Sequence, residues 1–464
     1  MVLNAQSLPA AFVGQMQDIL GEESEAFFQA LSEPSPVSVR INPAKTRAGQ
    51  EEALLPAPST DRVPWCPYGR YLSERPSFTF DPAFHAGAYY VQEASSMYLW
   101  TVLQEAFGYL EADAPLTALD LCAAPGGKST LLLDALPNGS ILVANEIQRQ
   151  RANVLAENLA KWGHPGTIVT QADPAAIGAL FPSTAFPGGA FDLMLTDVPC
   201  SGEGMFRKEA DALRDWSPEA VTACQQRQRR ILQSAWPALR PGGILIYSTC
   251  TFNRAENEDN VRWIAQTLGA REISIRRFFF HRSRGEGLFM ALLQKNEDKE
   301  AARSRIDPVR DRRREQRPAI PGCVTGALSW LQQPGDYTPI ILPDCSFSAA
   351  SPLIADMVRL LAKNRIPMLM AGIPLGELKG RDLVPDTALA LSTALDRSQL
   401  PCHELDREQA LRFLRREALV LPATAPKGLT VVTHGGLPLG FVRQLGNRAN
   451  NLYPAHWRIR SSID

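Results

Sequence analysis

The segment TALDLCAAPGGKSTLLLDAL, residues 117–136, decides the fold class of this chain. It begins with the apolar run of a buried strand, passes through two glycines and continues with the composition of a helix. Helical patterns also cover 148–163 and about 217–239. Four further strand-like runs lie at 141–147, 167–173, 191–199 and 241–251. Because strands alternate with helices, the sequence predicts an α/β fold with a mostly parallel, Rossmann-like sheet that has helices on both faces.

Polar or glycine-rich segments follow four successive strands of the predicted sheet, at the carboxyl ends where such sheets bind ligands. Gly126 and Gly127 allow the backbone to pass close to a ligand at the start of a helix. Glu146 ends the second strand 19 residues beyond Gly127 (146 − 127). A doubly wound fold places the acid that binds ribose hydroxyls there. Asp173 and Asp197 end the third and fourth strands. One such acid alone is more often a helix cap, but together these residues predict a cofactor site.

Two cysteines, Cys200 and Cys250, mark the ends of the fourth and fifth predicted strands. A lone cysteine is usually a small buried apolar residue, but these two flank the predicted cofactor pocket. Pro199 prevents a regular continuation of the strand, and Gly202 and Gly204 indicate a loop that can wrap around a substrate. An accessible thiol beside a cofactor suits nucleophilic catalysis.

The composition limits the remaining function classes. The 464 residues exceed a single hydrophobic core and predict two to four domains. Lysine plus arginine (48) balances aspartate plus glutamate (49), so binding to RNA would depend on a local basic patch. The eight cysteines form no CxxC pair and no histidine lies at ligand spacing from them, so we expect no metal site. No signal peptide and no apolar run of roughly 20 residues is present, which predicts a cytoplasmic protein without membrane segments.

Four motifs carry a resemblance to a known family. DLCAAPGGKST, NEIQRQR, DVPCSGEGMFRK and STCTFNRAENE occur in this order and together resemble the bacterial and eukaryotic RNA 5-methylcytosine methyltransferases. The match is closest to the bacterial 16S ribosomal RNA branch with an additional C-terminal RNA-binding module. The resemblance covers residues 1 to about 295, and LGNRANNLYPAHWRI resembles the end of the PUA-like module. Val198 stands where the family commonly has alanine, which affects none of the expected roles.

The resemblance implies a role for each matching residue. S-adenosylmethionine would be the cofactor, with Glu146 on its ribose and Asp173 near its adenine. Asp197 would hold the cofactor and also face the target cytosine. Cys250 would be the nucleophile that attacks the base, and Cys200 would help to expel the product. The rest of the expected cofactor site is the glycine-rich loop: Cys122, Ala123, Ala124, Pro125, Gly126, Gly127 and Lys128.

The resemblance also implies a domain division and a substrate. We expect an RNA substrate, 16S ribosomal RNA or the 30S subunit, and a monomeric enzyme. The charged residues 296–319 are expected to form a solvated linker, with an RNA-contacting arm as the alternative. The expected domains are an N-terminal α+β RNA-binding module (1–105), a Rossmann-like catalytic domain (106–295), that linker (296–319), a small accessory domain (320–398) and a PUA-like RNA-binding module (399–464).

Two other functions were weighed against this one. A DNA cytosine-5 methyltransferase uses the cysteine of its Pro-Cys motif as the nucleophile and lacks a second thiol at the fifth strand, so Cys250 argues against it. A non-catalytic ribosome-assembly factor with the same fold would tolerate the loss of a thiol or an acid. All of these residues are present, which favours the RNA enzyme.

In the C-terminal module, LDREQALRFLRREAL predicts an amphipathic helix, and LTVVTHGGLPLGFVRQ predicts a hairpin that turns at 434–436. The module also offers basic and aromatic residues to RNA. Tyr453 and Trp457 are either stacking surfaces for bases or the core of a small domain. Because phosphate contacts add affinity that depends on salt, we expect the removal of 400–464 to weaken RNA binding and leave cofactor binding intact. The basic residues are Lys427, Arg443, Arg448, Arg458 and Arg460.

Overall fold

A computed structural model describes residues 8–46, 49–111, 113–181, 189–297, 319–422, 424–446 and 448–461. The strands within these residues form four sheets. The largest sheet has eight strands and confirms the predicted α/β, Rossmann-like architecture. Most of the charged segment expected to be a linker lies outside the described residues. No helix in the described part of the chain is both long and apolar enough to cross a membrane.

The central sheet contains all five of the strands predicted from the sequence. They are β5 (Thr117–Asp120), β6 (Ile141–Asn145), β7 (Thr167–Thr170), β8 (Phe191–Asp197) and β9 (Leu239–Thr249). These five strands are parallel, in the order β9-β8-β5-β6-β7. Several end two to four residues earlier than predicted, so the motif residues lie in loops just beyond the strands.

Antiparallel strands extend both edges of this parallel core. At one edge β9 pairs with β11 (Leu288–Lys295), which pairs with β10 (Ala270–Phe278). At the other edge β7 pairs with β14 (Met368–Ala371). The sequence did not predict that a strand from the region 320–398 would complete the central sheet.

Helices cover both faces of the central sheet, and local signals set their ends. α6 ends at Trp162, followed by Gly163 with φ of 83°, as the helix pattern predicted. α9 begins at Pro218, after Ser217 accepts a hydrogen bond from Ala220 N. The helices from this part of the chain are α4 (Leu99–Phe107), α5 (Gly127–Ala135), α6 (Arg149–Trp162), α7 (Pro174–Gly178), α8 (Ala210–Asp215), α9 (Pro218–Ala235) and α10 (Glu258–Trp263).

The N-terminal region begins with two short helices and is an α+β arrangement, as its sequence predicts. α1 (Ala10–Leu20) and α2 (Ser24–Leu31) pack through Phe12 and Phe27 against aromatic residues of the central domain, including Phe252. A four-stranded antiparallel sheet follows, with the order β2-β3-β1-β4. Its elements are β1 (Ser38–Ile41), β2 (Ser59–Arg62), β3 (Gly69–Leu72), α3 (Pro82–His85) and β4 (Tyr89–Val91).

The region 320–398 contributes a second antiparallel sheet, with the order β12-β13-β15-β16. α12 buries Ile354 and Leu361 in the same core as the central sheet, so this region is packed against the catalytic domain. Its elements, apart from β14, are α11 (Gly322–Ala327), β12 (Thr338–Ile341), β13 (Phe347–Ala350), α12 (Pro352–Lys363), β15 (Ile373–Lys379), β16 (Asp382–Pro385) and α13 (Thr387–Leu391).

The C-terminal sheet has the order β17-β18-β19-β20 and includes the predicted hairpin. β18 ends at His434 and β19 begins at Leu437, so the chain turns where the sequence indicated. α14 is shorter than the predicted amphipathic helix and starts with a capping box between Asp406 and Gln409. The elements are β17 (Cys402–Glu404), α14 (Arg407–Leu414), β18 (Gly428–His434), β19 (Leu437–Gln444) and β20 (Ala449–Asn451).

The core of the C-terminal sheet is shared with the N-terminal sheet. Val39 and Tyr89 belong to the same buried cluster as Phe413 and Val442. A deletion of 400–464 would therefore expose an apolar surface on the remaining protein. Substitutions of exposed residues are a cleaner test of this module than the deletion suggested by its sequence.

Tyr453 is a core residue of the C-terminal module. Its side chain is 1% exposed and packs against Phe413, with 5.3 Å between the ring centroids. Of the two alternatives left open by the sequence, Tyr453 therefore takes the core role, because a small module needs its aromatic side chains inside. Trp457 is half-buried, and Lys161 Nζ lies 5.4 Å from the centroid of its ring.

Candidate active site

A cleft of about 970 Å³ opens at the carboxyl ends of the five parallel strands. Every predicted site motif contributes to its wall, as the fold class led us to expect. The predicted residues that line it are Cys122, Ala124, Glu146, Asp173, Asp197, Cys200 and Cys250. The predicted residues that are not part of its lining are Ala123, Pro125, Gly126, Gly127 and Lys128.

The side chain of Arg40, in β1, forms a hydrogen bond with the backbone of the glycine-rich loop. Gly126 has φ of 114°, a backbone conformation that other residues rarely adopt. Arg40 is fully buried, donates to Gly127 O (3.4 Å) and forms an ion pair with Asp134. Burial raises the pKa of Asp134 to about 6, although the Arg40 guanidinium opposes this. Arg40 also donates to Thr130 Oγ1, so one buried cation fixes the start of α5. The sequence analysis did not identify it.

Three predicted acids surround the cleft in different environments. Glu146 is 3% exposed, accepts a hydrogen bond from Gln148 N (2.9 Å), and its Oε2 lies 3.4 Å from Arg151. Asp173 is exposed and caps α7 by accepting from Ala175 N at 2.8 Å. This acid is therefore a helix cap and part of the cleft wall at once.

The third acid, Asp197, forms an ion pair with Lys128 (2.8 Å). Burial lowers the pKa of Lys128, but the Asp197 carboxylate outweighs it and the net shift is upward. The charged Lys128 ammonium also interacts with Cys250. Lys128 was expected to hold the cofactor, and its contacts direct it towards Asp197 and the thiols.

The two thiols are within hydrogen-bonding distance of each other. β8 and β9 are adjacent and parallel, and Cys200 Sγ lies 3.2 Å from Cys250 Sγ in the loops that follow them. The hydrogen bond to Cys250 raises the pKa of Cys200 well above its usual value, and loss of surrounding water raises it further. Cys200 therefore keeps its proton and can donate it to the sulfur of Cys250.

Backbone contacts bring the two thiol loops together as closely as glycine permits. Gly204 N donates to Cys250 O at 2.8 Å. A Cβ atom at Gly204 would lie 2.8 Å from Cys250 O and 2.9 Å from Gly287 O, which is too close for any other residue. From the sequence, Gly204 was interpreted as part of a loop that can wrap around a substrate. In the structure, this glycine allows the close approach of the two thiol loops.

Two further carboxylates at the site were missed by the sequence analysis. Glu203 and Glu256 are fully buried, and both accept hydrogen bonds from the backbone of the thiol loops. They lie inside the motifs SGEG and AENE, so the motifs contained the signal. Spacing alone could not show it, because each acid contacts residues about 50 positions away.

Comparisons with known proteins agree with this geometry. Three family models match: "16S rRNA methyltransferase RsmB/F" over residues 109–284, "N-terminal domain of 16S rRNA methyltransferase RsmF" over 8–94, and "Methyltransferase RsmF PUA domain" over 401–459. Ribosomal RNA small subunit methyltransferase F of Aliivibrio fischeri (strain MJ11) is 31% identical, across 96% of this chain and 97% of its own length. The chain belongs to the ribosomal RNA small subunit methyltransferase F family. The resemblance inferred from the four motifs is thereby confirmed.

Another relative and a solved structure are also similar to this chain. The member from Salmonella paratyphi A (strain ATCC 9150 / SARB42) is 38% identical over 58% of this chain and 55% of its own length. A solved structure of a methyltransferase homolog protein from Pyrococcus horikoshii has a TM-score of 0.52 and 26% identity. It covers 63% of this chain and 100% of that chain. The solved structure supports the Rossmann-like methyltransferase sheet, and the family models add the C-terminal PUA domain.

Proposed function

We propose that this protein transfers a methyl group from S-adenosylmethionine to cytosine C5 in 16S ribosomal RNA, through a covalent bond between Cys250 and C6 of the base. The observation that carries the proposal is the pair of thiols, 3.2 Å apart, in the wall of the cleft. Cytosine C5 is a poor nucleophile, and the attack of a thiolate on C6 makes C5 react like an enamine.

The cleft residues suit S-adenosylmethionine. A volume of about 970 Å³ accommodates a nucleoside-sized cofactor together with one base. The buried Glu146 carboxylate accepts one backbone hydrogen bond and retains lone pairs for ribose hydroxyls. Asp173 and Asp197 add negative charge that favours a sulfonium. When bound, S-adenosylmethionine supplies the electrophilic methyl group.

The chain's own residues generate and stabilise the nucleophile. The Cys200 thiol donates a hydrogen bond to the Cys250 sulfur, and the Lys128 ammonium adds positive charge nearby. A hydrogen-bond donor and a positive charge therefore lie beside the sulfur that attacks the base. Asp197 holds Lys128 in place and can accept a hydrogen bond from the exocyclic amine of the target cytosine. The target base must leave its stack to enter the cleft.

Cys200 changes its role once Cys250 is bound to C6. The hydrogen bond and the negative charge of Cys250 that raise its pKa are then removed, so Cys200 can release its proton to water. Its thiolate can take the proton from C5, and the electrons of that C–H bond expel the Cys250 thiolate. One proton is released overall, and both cysteines return to their initial states.

The thiol assignment is tested by two variants. Cys250→Ala should abolish both methylation and the covalent RNA adduct, because no nucleophile remains. Cys200→Ala should trap an adduct that survives denaturing gels, because C5 keeps its proton. Gel analysis with labelled RNA measures both. A trapped adduct in the Cys250 variant, with none in the Cys200 variant, would reverse the two roles.

The substrate assignment rests on the names of the relatives, which refer to 16S or small-subunit ribosomal RNA. Purified protein with labelled cofactor should methylate 16S RNA or 30S particles at cytosine C5, acting as a monomer. 23S RNA and transfer RNA are the controls, and nucleoside analysis identifies the product. Label only in the control RNAs, or at another atom of the base, would contradict the proposal.

A further inference from the structure

The loops that carry Cys200 and Cys250 each supply one buried carboxylate to the other loop. Glu203 follows Cys200, and Glu256 follows Cys250. Both side chains are 0% exposed. Neither forms an ion pair with any cation in the part of the chain that the structure describes. A buried carboxylate without a counter-ion is costly unless several hydrogen-bond donors stabilise it. The donors to Glu203 and Glu256 are therefore the features to examine.

Glu203 holds the loop of Cys250. Its Oε2 accepts hydrogen bonds from the backbone N–H groups of Phe252 (2.7 Å) and Asn253 (2.9 Å). Its Oε1 accepts from Gln15 Nε2 at 2.9 Å and Trp216 Nε1 at 3.0 Å. With Asn253 Nδ2, which donates to Oε1 at 3.2 Å, five neutral donors from three parts of the chain converge on one carboxylate. These bonds fix the backbone two and three residues beyond Cys250.

Glu256, in the loop of Cys250, in turn accepts a backbone hydrogen bond from the loop of Cys200. Its Oε2 accepts from the backbone N–H of Ser201 at 3.1 Å and from Gln228 Nε2 at 2.6 Å. Asn253 Nδ2 bridges the two acids, at 2.8 Å from Glu256 Oε1 and 3.2 Å from Glu203 Oε1. Burial raises the pKa of Glu256, and the negative charge of Glu203 contributes in the same direction.

We propose that Glu203 and Glu256, which we term the carboxylate pair, are positioning residues that hold Cys200 Sγ at hydrogen-bonding distance from Cys250 Sγ. Each acid binds backbone within two residues of one thiol. Together with the bond from Gly204 N to Cys250 O, they leave the two loops little freedom to separate. The role of Cys250 as the nucleophile rests on the proposed function, but the positioning of its thiol does not.

The charged groups near the Cys250 sulfur come from several elements. Lys128 from α5 interacts with Cys250 and is paired with Asp197 at the end of β8. The carboxylate pair lies in the two thiol loops and binds their backbone. We therefore expect the pair to act on Cys250 by placing the Cys200 donor.

The test measures how the alkylation rate of Cys250 by iodoacetamide depends on pH, using the full chain and peptide mass spectrometry. Four proteins are compared: wild type, Cys200→Ala, which has no donor at this position, Glu203→Gln and the double variant. We expect the midpoint pH of Cys250 alkylation to rise by about one to two pH units in each single variant. The reason is that the hydrogen bond from Cys200 to the Cys250 sulfur is lost. The double variant should show no further rise, because both changes remove the same bond.

Glu272→Gln is the control, since it removes a carboxylate from the exposed face of β10, outside the lining of the cleft. The midpoint of Cys250 alkylation should not move in this variant. Asn253→Ala breaks the bridge without removing an acid, and it replaces Glu203→Gln if that variant does not fold.

An unchanged midpoint in a folded Glu203→Gln or Asn253→Ala protein would overturn the proposal and leave the carboxylate pair a purely structural role. Additive shifts in the double variant would overturn it as well. The assay requires neither RNA nor cofactor. A failure of the wild-type protein to methylate RNA would therefore count against the proposed function without affecting this result.

Discussion

The cleft of the central sheet and the C-terminal module both contain charged side chains, but the thiol loops of the cleft bury two carboxylates, whereas the module exposes several basic side chains. Around the cleft, Glu203 and Glu256 are buried and accept several hydrogen bonds, including bonds from the backbone. In the C-terminal module, four basic side chains are exposed and form no ion pair within the described residues, whereas Arg412 and Arg443 are paired. The four side chains belong to Lys427, Arg448, Arg458 and Arg460.

This difference separates two uses of charge. A buried and fully bonded carboxylate fixes the position of its neighbours, but it cannot turn towards a new ligand. An exposed arginine adds little to stability and is free to contact phosphate. We therefore expect substitutions near the cleft to change stability, chemistry and cofactor affinity, and substitutions on the C-terminal surface to change mainly the response of RNA binding to salt.

The largest effect is expected at Arg40, beneath the glycine-rich loop. Arg40→Met removes the only cation paired with the buried Asp134 carboxylate among the described residues and leaves it one hydrogen bond, from Trp162 Nε1. The free energy of unfolding should fall by about 3–5 kcal/mol. Urea denaturation measures this change. Arg458→Met, on the exposed surface of the C-terminal module, is the control and should stay within about 0.5 kcal/mol. Equal losses in the two variants would show that burial does not distinguish the two regions.

A smaller effect is expected at the cofactor end of the cleft. Glu146→Ala should weaken S-adenosylmethionine binding by roughly 1–3 kcal/mol, because a buried polar partner is lost, while RNA affinity stays the same. Titration calorimetry measures the cofactor affinity. Glu272→Ala, on the exposed face of β10, provides the comparison. Unaltered cofactor affinity in the Glu146 variant would remove this acid from the proposed site.

The smallest effect on the folded protein is expected from neutralising the C-terminal surface. Substituting Lys427, Arg448, Arg458 and Arg460 by glutamine should leave the unfolding temperature unchanged. Each lost phosphate contact should reduce the slope of log affinity against log salt by roughly 0.7–0.9. Filter binding at several salt concentrations gives the slope. Lys363→Gln combined with Arg365→Gln, on the exposed end of α12, is the control. Identical slopes for both variants would remove the RNA-binding role from this surface.

The parts of the fold that depend on local sequence signals could be predicted. The five parallel strands, the turn at 434–436 and the end of α6 at Gly163 follow from periodicity and glycine positions, which act over a few residues. The position of Cys200 and Cys250 at one edge also followed, because parallel strands place their carboxyl ends together. Their 3.2 Å separation required the structure.

The remaining features depend on contacts between distant segments. β14 is only four residues long, and nothing in MLMA indicates that its partner is β7, about 200 residues earlier. An aromatic residue such as Tyr453 has the same sequence pattern whether it packs inside a small module or stacks on RNA. The carboxylate pair illustrates the same limit, since Glu203 and Glu256 are recognisable as acids but not as partners of the opposite loop.

The ribosome synthesises β14 long after β7, the strand with which it pairs, and this delay affects the nascent chain. β7 ends at Thr170, whereas the strand that covers its edge ends at Ala371. At roughly 5–20 residues per second, a ribosome needs about 10–40 seconds to synthesise the intervening residues. During that interval the newly made sheet has an open edge, a surface on which other chains can assemble. The nascent chain therefore has a period of vulnerability to aggregation that closes only when the region beyond 320 has been synthesised and β14 has paired.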